Sequence, residues 1–486
     1  MTAAVRDTVS VGPRQKPPVY QHSDGWRSLV AIAPRLRRTQ PSRGGRRVTL
    51  DRRPTATRDD ARSRTAISCS AVILSICLSM GSHSLSAVAV EPVTLHGVVP
   101  ATFPVGTTAP VAIPLPNDRT WPAVLTVELR VEGAGETTTV AAQPDIGRDT
   151  PTQAWFLWTA RQEDLGKKIA LRLQPADQNS QPAYAVKVAD PQVHVATPDG
   201  KPILSYWYGQ PDPNQPYAVS DFIHPLIGLD GEMITDNAPA DHRHHRGVFW
   251  SWVRYERNEE SIGSWWIPDR LRCEPAGLET GTGPVFAAFQ ARQFMVHRPQ
   301  ADSSDERILE QHITCRVFPT TPIGRAVDVD LSIRALQNGL RIGGQTAIGK
   351  GYGGMTVRYG PGKEPRIEVD GEFHPKDLIR HRANWASWTG LFPQADGQPG
   401  QKRSGAALLV HPSHPDVPPE WLTRYYGVLC VCYPGLDMLD VGKDTPLRLR
   451  YRVWIHRGAA REGGVDAQYR AYAADLQWKP GKKVSG

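Results

Sequence analysis

Long apolar runs are missing from most of this 486-residue chain. Beyond residue 80 nothing approaches the roughly 20 apolar residues that a helix needs to cross a bilayer. A multi-span membrane protein is excluded, and no stable membrane span is expected. Long helical patterns are nearly absent as well, which argues against an α or α/β fold. Only six cysteines occur, with no C-x-x-C among them, so neither a zinc ribbon nor a thioredoxin-like redox motif is present. The G-x-x-x-x-G-K-[ST] order of a phosphate loop is also missing; the nearest approach is Lys350-Gly-Tyr-Gly-Gly354, which precedes a strand-like run. There is no internal repeat. Excess charge is missing from the body of the chain. The total is +8, but residues 1–65 hold 15 Lys and Arg against 5 Asp and Glu, a balance of +10 that leaves about −2 for the rest. A near-neutral body offers no electrostatic footprint for nucleic acid, and no such partner is expected.

Turn formers and strand formers are plentiful. Gly and Pro number 43 each, and Val, Thr, Trp and Tyr are frequent, a composition that predicts an all-β protein. The length calls for more than one domain and allows a large core. Residues 66–80 form a short apolar run after Arg58, Arg62 and Arg64, and Ala87-Val88-Ala89 follows. That pattern predicts a secretory signal over 66–89, cleaved near Ala89, and hence a periplasmic or extracellular protein. Residues 1–65 read as a basic, disordered extension or a start site placed too early. Cys273, Cys315, Cys430 and Cys432 remain in the mature chain. Export permits a Cys273–Cys315 disulfide; four buried thiols is the other reading.

Residues 90–198 contain about seven short strand patterns separated by turns, from Val93–Val98 to Tyr184–Val188. This predicts an immunoglobulin-like sandwich, with Asp190–Gly200 as the linker. Residues 199–458 read as one large β domain. Its strand candidates include Pro202–Tyr208, Val248–Tyr255, Phe286–His297, Arg307–Phe318, Ala326–Ala335 and Leu447–His456. Alternation such as Val327-Asp-Val-Asp-Leu-Ser-Ile333 predicts one buried and one wetter face. Residues 459–486 read as a short helix, with Tyr469, Tyr472, Ala473 and Leu476 at helical spacing, and a tail.

The densest polar chemistry lies in Asp241-His-Arg-His-His-Arg-Gly-Val-Phe-Trp-Ser-Trp252. Imidazoles move protons near neutral pH or bind metals, and crowding His242, His244 and His245 beside cations favours their neutral forms. An extended conformation reaching back through the cluster would put His242, His244, Arg246, Trp250 and Trp252 on one face, with His245 and Phe249 on the other. Three readings stay open. One histidine is a general acid or base, oriented by Asp241 or Glu232. Alternatively, two histidines and a carboxylate bind Zn, Cu or Fe, with His411 and His414 as further ligands. The third is a structural polar cluster. Candidate substrate contacts are Arg246, Trp250, Trp252, Lys350, Arg358, Trp385, His411, His414, Arg424 and Tyr425. The glycines after Lys350 would let backbone approach a ligand, and the prolines around His411-Pro-Ser-His-Pro would stiffen that loop.

Several blocks in order carry a family resemblance: His224-Pro-Leu-Ile-Gly, Ala240-Asp-His-Arg-His-His-Arg-Gly-Val-Phe-Trp, Gly351-Tyr-Gly-Gly-Met-Thr-Val-Arg358, Arg382-Ala-Asn-Trp-Ala-Ser-Trp, His411-Pro-Ser-His-Pro and Glu420-Trp-Leu-Thr-Arg-Tyr-Tyr-Gly427. Over about 203–458 the chain resembles the PmoA-like family of exported bacterial proteins. That label comes from a membrane subunit of methane monooxygenase, which needs apolar spans this chain lacks, so methane oxidation is not expected. The resemblance implies a β-supersandwich like that of galactose mutarotase and a setting among sugar-active enzymes. The expected function is therefore proton-transfer chemistry on a sugar or modified glycoside, as an isomerase, lyase or hydrolase, with no cofactor and no bound metal. A non-catalytic glycan-binding module and a histidine-ligated metal oxidoreductase are the alternatives.

Overall fold

Period-two alternation builds the centre of the molecule. In the strand Gly324–Ala335, Val327, Val329, Leu331 and Ile333 all point into one core. The computed structural model describes residues 91–147, 151–176, 180–210, 219–264, 270–300 and 303–481. The basic extension, the signal segment with its cleavage site and the end of the tail lie outside them. Among the described residues the regular structure is almost entirely strand, arranged in several antiparallel sheets, as the composition predicts. No helix among them is long and apolar enough to cross a membrane.

Two nine-stranded sheets sandwich the main core. One runs in the order 271–282, 287–297, 306–317, 324–335, 447–457, 404–410, 385–391, 363–369, 372–374. The other runs 379–382, 420–424, 428–432, 354–358, 248–251, 222–226, 202–207, 192–196, 185–189. A four-stranded sheet made of 260–263, 254–257, 340–343 and 438–440 extends the large domain. Four neighbouring strands of the second large sheet matter below: β1 (Val248–Ser251), β2 (Gly354–Arg358), β3 (Glu420–Arg424) and β4 (Val428–Cys432). β1 is shorter than the expected Val248–Tyr255, because Arg254–Arg257 pairs with Leu340–Gly343 in the four-stranded sheet.

Six N-terminal strands and a short C-terminal one form a seven-stranded sheet with its own core, which includes Leu125, Val127, Phe156, Trp158 and Leu171. Its boundary falls earlier than expected. Ala185–Ala189 and Gln192–Ala196 form a hairpin that joins the large domain's sheet, so the expected linker 190–200 contains a strand of that sheet. The chain also returns to this sheet at its far end. The helix α1 spans Val465–Ala473; Leu476 then enters the N-terminal core, and Lys479–Pro480 pairs with Val93–Val98.

The polar face of Gly324–Ala335 is covered rather than wet. Asp328 meets Arg452 at 2.6 Å with both side chains fully buried, and Tyr472 of α1 lies over that guanidinium at 4.4 Å. Arg316 bridges Asp330 at 2.7 Å and Asp145 of the N-terminal sheet at 2.6 Å. Alternation marks which residues avoid the apolar core, but paired charges let a second layer pack on their face.

The Cys273–Cys315 disulfide does not form, and all four described cysteines are free. Cys273 pairs across the sheet with Met295, and Cys315 pairs with Phe289 on the same intervening strand. A whole strand and a six-residue offset separate the thiols, beyond the reach of a disulfide.

One buried carboxyl ties β1 to the core. Asp221 accepts hydrogen bonds from Tyr206 Oη at 2.6 Å, from Trp250 Nε1 at 3.1 Å and from Gln311 Nε2. Burial raises its pKa to about 7 despite these donors. A carboxyl with a raised folded-state pKa holds its proton longer in the folded chain than in the unfolded one. Its contribution is therefore complete below about pH 4 and is lost as pH climbs to about 7. Chemical denaturation across pH 4–7 is expected to show a loss on the order of 4 kcal/mol in the wild type that Asp221→Asn lacks. Parallel pH profiles for the two proteins would contradict this assignment.

Candidate functional site

A cleft of about 350 Å³ opens on the outer face of β1–β4. Sheet parity fixes its floor. Phe249, Thr356, Cys430 and Leu422 are successive cross-strand partners, and Ser251, Val428 and Arg424 share their side. The alternate residues Val248, Trp250, Met355, Val357, Leu429 and Val431 enter the main core. The walls are loops. Lys350, Tyr352 and Gly353 come from the turn before β2, Tyr426 from the β3–β4 hairpin, and His242, His244 and His245 from the loop before β1.

That last loop is a compact knot of turns, not a strand. Asp236 N bonds Arg358 O at 3.0 Å, Ala238 N bonds His245 O at 2.9 Å, and His245 N bonds His242 O at 2.9 Å. Gly247 lets the loop enter the sheet: a Cβ there would stand 2.1 Å from Ile223 O. Because the chain turns through 238–245, strand alternation does not extend back from β1. The expected grouping of His242, His244, Arg246, Trp250 and Trp252 on one face is thus overturned. The three imidazoles share the cleft with Phe249, while Trp250 faces the core.

Arg358 anchors the loop. Its side chain is 6% exposed and its Nη2 donates to Asp241 Oδ1 at 3.1 Å and Oδ2 at 3.2 Å. Tyr426 covers the guanidinium at 5.0 Å. Asp241 Oδ2 in turn meets His242 Nδ1 at 2.8 Å. The His242 ring stacks between Tyr426, at 5.0 Å and 12°, and His245, at 4.6 Å and 23°. His244 stands edge-on to His245 at 4.7 Å. Burial works to raise the Asp241 pKa, but the His242 hydrogen bond and the Arg358 charge outweigh it and hold the group below the usual carboxylate range. Asp241 is therefore ionised and only accepts, so His242 Nδ1 carries the hydrogen. With Nδ1 donating to the carboxylate, the second ring nitrogen, Nε2, is left without a hydrogen-bond partner among the described residues. Burial, aided by the charges of His242, Arg246 and Arg358, lowers His244 to about 4. Burial drives His245 lower still. Both are neutral at physiological pH.

Lys350 and Arg424 border the cleft as the sequence suggests. Several other candidates lie elsewhere. Glu232 is buried, accepts from the Asp230 backbone N–H at 2.9 Å and bridges to Gln394, so it orients no cleft histidine. Arg246 turns away, donating to the carbonyls of Arg243 and His245 and lying over Phe222. Trp250 bonds Asp221, Trp252 donates to Tyr433 O at 2.9 Å, and Trp385 packs beside Trp454 in a separate cluster; none offers a stacking surface. His411 bonds Ser413 and Arg450, and His414 bonds Tyr451. Burial lowers both to about 4; they serve as structural links. Tyr425 bonds His374 O outside the cleft. The composite site joining the 411–414 loop to the histidine cluster is therefore not formed. The glycines around Tyr352 make room for protein rather than ligand: a Cβ on Gly354 would meet Val431 O at 2.7 Å. Sequence reasoning missed Tyr352, Thr356, Tyr426 and Cys430. The turn signal of Gly427 beside two tyrosines could have flagged Tyr426. Among the described residues, no group of three or more His, Cys, Asp or Glu side chains is placed to hold a metal ion.

The His244 ring is expected to titrate near pH 4 by NMR, assigned through His244→Gln; a midpoint near 6.5 would contradict the packing described. Among curated proteins, none matches the chain in sequence. Residues 194–470, more than half of the chain, match the model of a family described as of unknown function, DUF6807. The matched segment contains the histidine loop, the β2 turn and the β3–β4 hairpin, and the chain belongs to the DUF6807 family.

Proposed function

We propose that the protein is an exported carbohydrate-active enzyme that works by proton transfer, with His242 as the acid or base. The observation that carries this reading is the Asp241–His242 pair. The carboxylate, held by Arg358, accepts from Nδ1 at 2.8 Å and leaves the basic Nε2 of a cleft residue for a ligand proton. The stacked position between Tyr426 and His245 keeps the ring from rotating out of that role. His244 and His245, neutral and close by, are suited to bonding sugar hydroxyls without adding charge. A cleft of about 350 Å³ lies in the range of small-ligand sites.

The resemblance to PmoA-like proteins over about 203–458 falls inside the matched family segment and adds support through its implied mutarotase-like sandwich and imidazole–carboxylate sites. The substrate is a sugar or modified glycoside, and the reaction an isomerisation, elimination or hydrolysis. A purely glycan-binding module is less well supported, because the tryptophans that would form an open platform are buried. A histidine-ligated metal centre has no converging donor set among the described residues.

The test is proton NMR of the purified protein with mono- and disaccharides, including oxidised forms. New product resonances are expected, and His242→Gln should slow their appearance by about 10²–10⁴-fold with the fold intact. Undiminished turnover in that variant would remove His242 from the chemistry. Binding without any turnover would make the protein a lectin-like module.

A further inference from the structure

We infer that the ligand of this cleft is an acidic sugar, a hexuronate-type unit whose carboxylate sits against Lys350 and Arg424; this rests on the carbohydrate reading above. The cleft is lined by two cationic side chains and, among the described residues, by no carboxylate. The nearest acids are already engaged. Asp241 is held by Arg358 and His242, and the half-exposed Asp377 stands 3.8 Å from Arg424 Nη1. Lys350 has no ion pair or side-chain hydrogen bond within the described protein, although it borders a floor that sets the apolar Leu422, Val428 and Cys430 beside the hydroxyls of Ser251 and Thr356. An ammonium kept at such a floor without an acid beside it is compensated either by water or by an anionic ligand.

Arg424 is built in rather than draped over the surface. Its side chain is 10% exposed, and Nη1 donates to Thr423 O at 2.9 Å and Leu378 O at 3.3 Å. These bonds fix the plane of the guanidinium, and a fixed fork suits a planar carboxylate. The three imidazoles then face the rest of the ring. Two are held neutral by burial, so among the described lining residues the lasting positive charge rests on Lys350 and Arg424 rather than on these two rings. A neutral sugar would leave Lys350 without a counter-charge and Arg424 with only the half-exposed Asp377, 3.8 Å from Nη1. An acidic one satisfies them and presents its hydroxyls to His242, His244 and His245.

The experiment is calorimetric titration of the full protein at low ionic strength. The probes are galactose and galacturonate, glucose and glucuronate, galactose 6-sulfate, and malonate as a carboxylate without a ring. At least one hexuronate is expected to bind ten-fold or more tightly than its neutral partner. Lys350→Met should cut that preference to near unity, and added salt should weaken it. Arg424→Gln is run beside it, with thermal midpoints of both variants as the check on folding. Equal binding of acid and neutral sugars, or a preference that survives both substitutions, overturns the acidic-sugar inference and leaves the carbohydrate reading standing. Tighter binding of the sulfate than of either hexuronate overturns the carboxylate assignment. Malonate binding as well as the hexuronates, with no affinity for neutral sugars, overturns the carbohydrate reading itself. Silence from every probe overturns both.

Discussion

The contact between Arg358 and Asp241 is the constraint on which the candidate site depends. Arg358 belongs to a strand of the large sandwich, so its backbone position is set by sheet pairing with Val428 on one side and by the bond from its N–H to Gly247 O on the other. Its guanidinium is buried, and Nε and Nη1 have no hydrogen-bond partner among the described residues. A cation so placed needs its carboxylate, since leaving a buried charge alone costs several kcal/mol. The half-exposed position of Asp241 reduces that figure through solvent screening. The pairing nevertheless does what loop sequence alone cannot: it draws a turn-rich segment down onto a rigid sheet and sets His242 at a defined height above the floor. Tyr426 completes the arrangement from the other side, stacking on both the guanidinium and the imidazole.

Beneath the floor, the same strands face the opposite way into an apolar core that holds the buried Asp221. Trp250 is the link. Its indole is buried on the core side of β1 and donates to Asp221, so the polar anchor below and the cleft above share one strand. The two faces therefore do different work. The core side supplies rigidity through close packing, and the cleft side spends that rigidity on holding four elements in register around a small volume.

Much of the architecture is legible in residue order, and the exceptions have physical causes. Strands such as Arg307–Phe318 and Leu447–His456 are visible because one face of each meets the core, and the structure places them within a residue or two. The polar residues that alternate with the core positions of Gly324–Ala335 misled, since Asp328 and Asp330 are paired under the N-terminal sheet and α1 rather than solvated. The histidine loop announced itself by composition, but which side its rings occupy depends on where β1 begins. Turn bonds spanning 238–245 reset the parity before the strand starts. His411 and His414 carry the same residue type as the site and play a different part, because Arg450 and Tyr451 lie within reach of them and the cleft does not. Tyr426 stayed hidden because its importance comes only from packing on residues far away in the chain.

The most direct measurement of the central claim is the tautomer of His242, read from side-chain ¹⁵N–¹H correlations in the wild type and in Arg358→Met, with signals of the buried His456 as the check that the fold persists. The account predicts a hydrogen fixed on Nδ1 of the wild-type ring, and loss of that fixed state when Arg358 no longer holds Asp241. A wild-type ring without a hydrogen on Nδ1, or a Nδ1–H signal indifferent to the substitution, would contradict it.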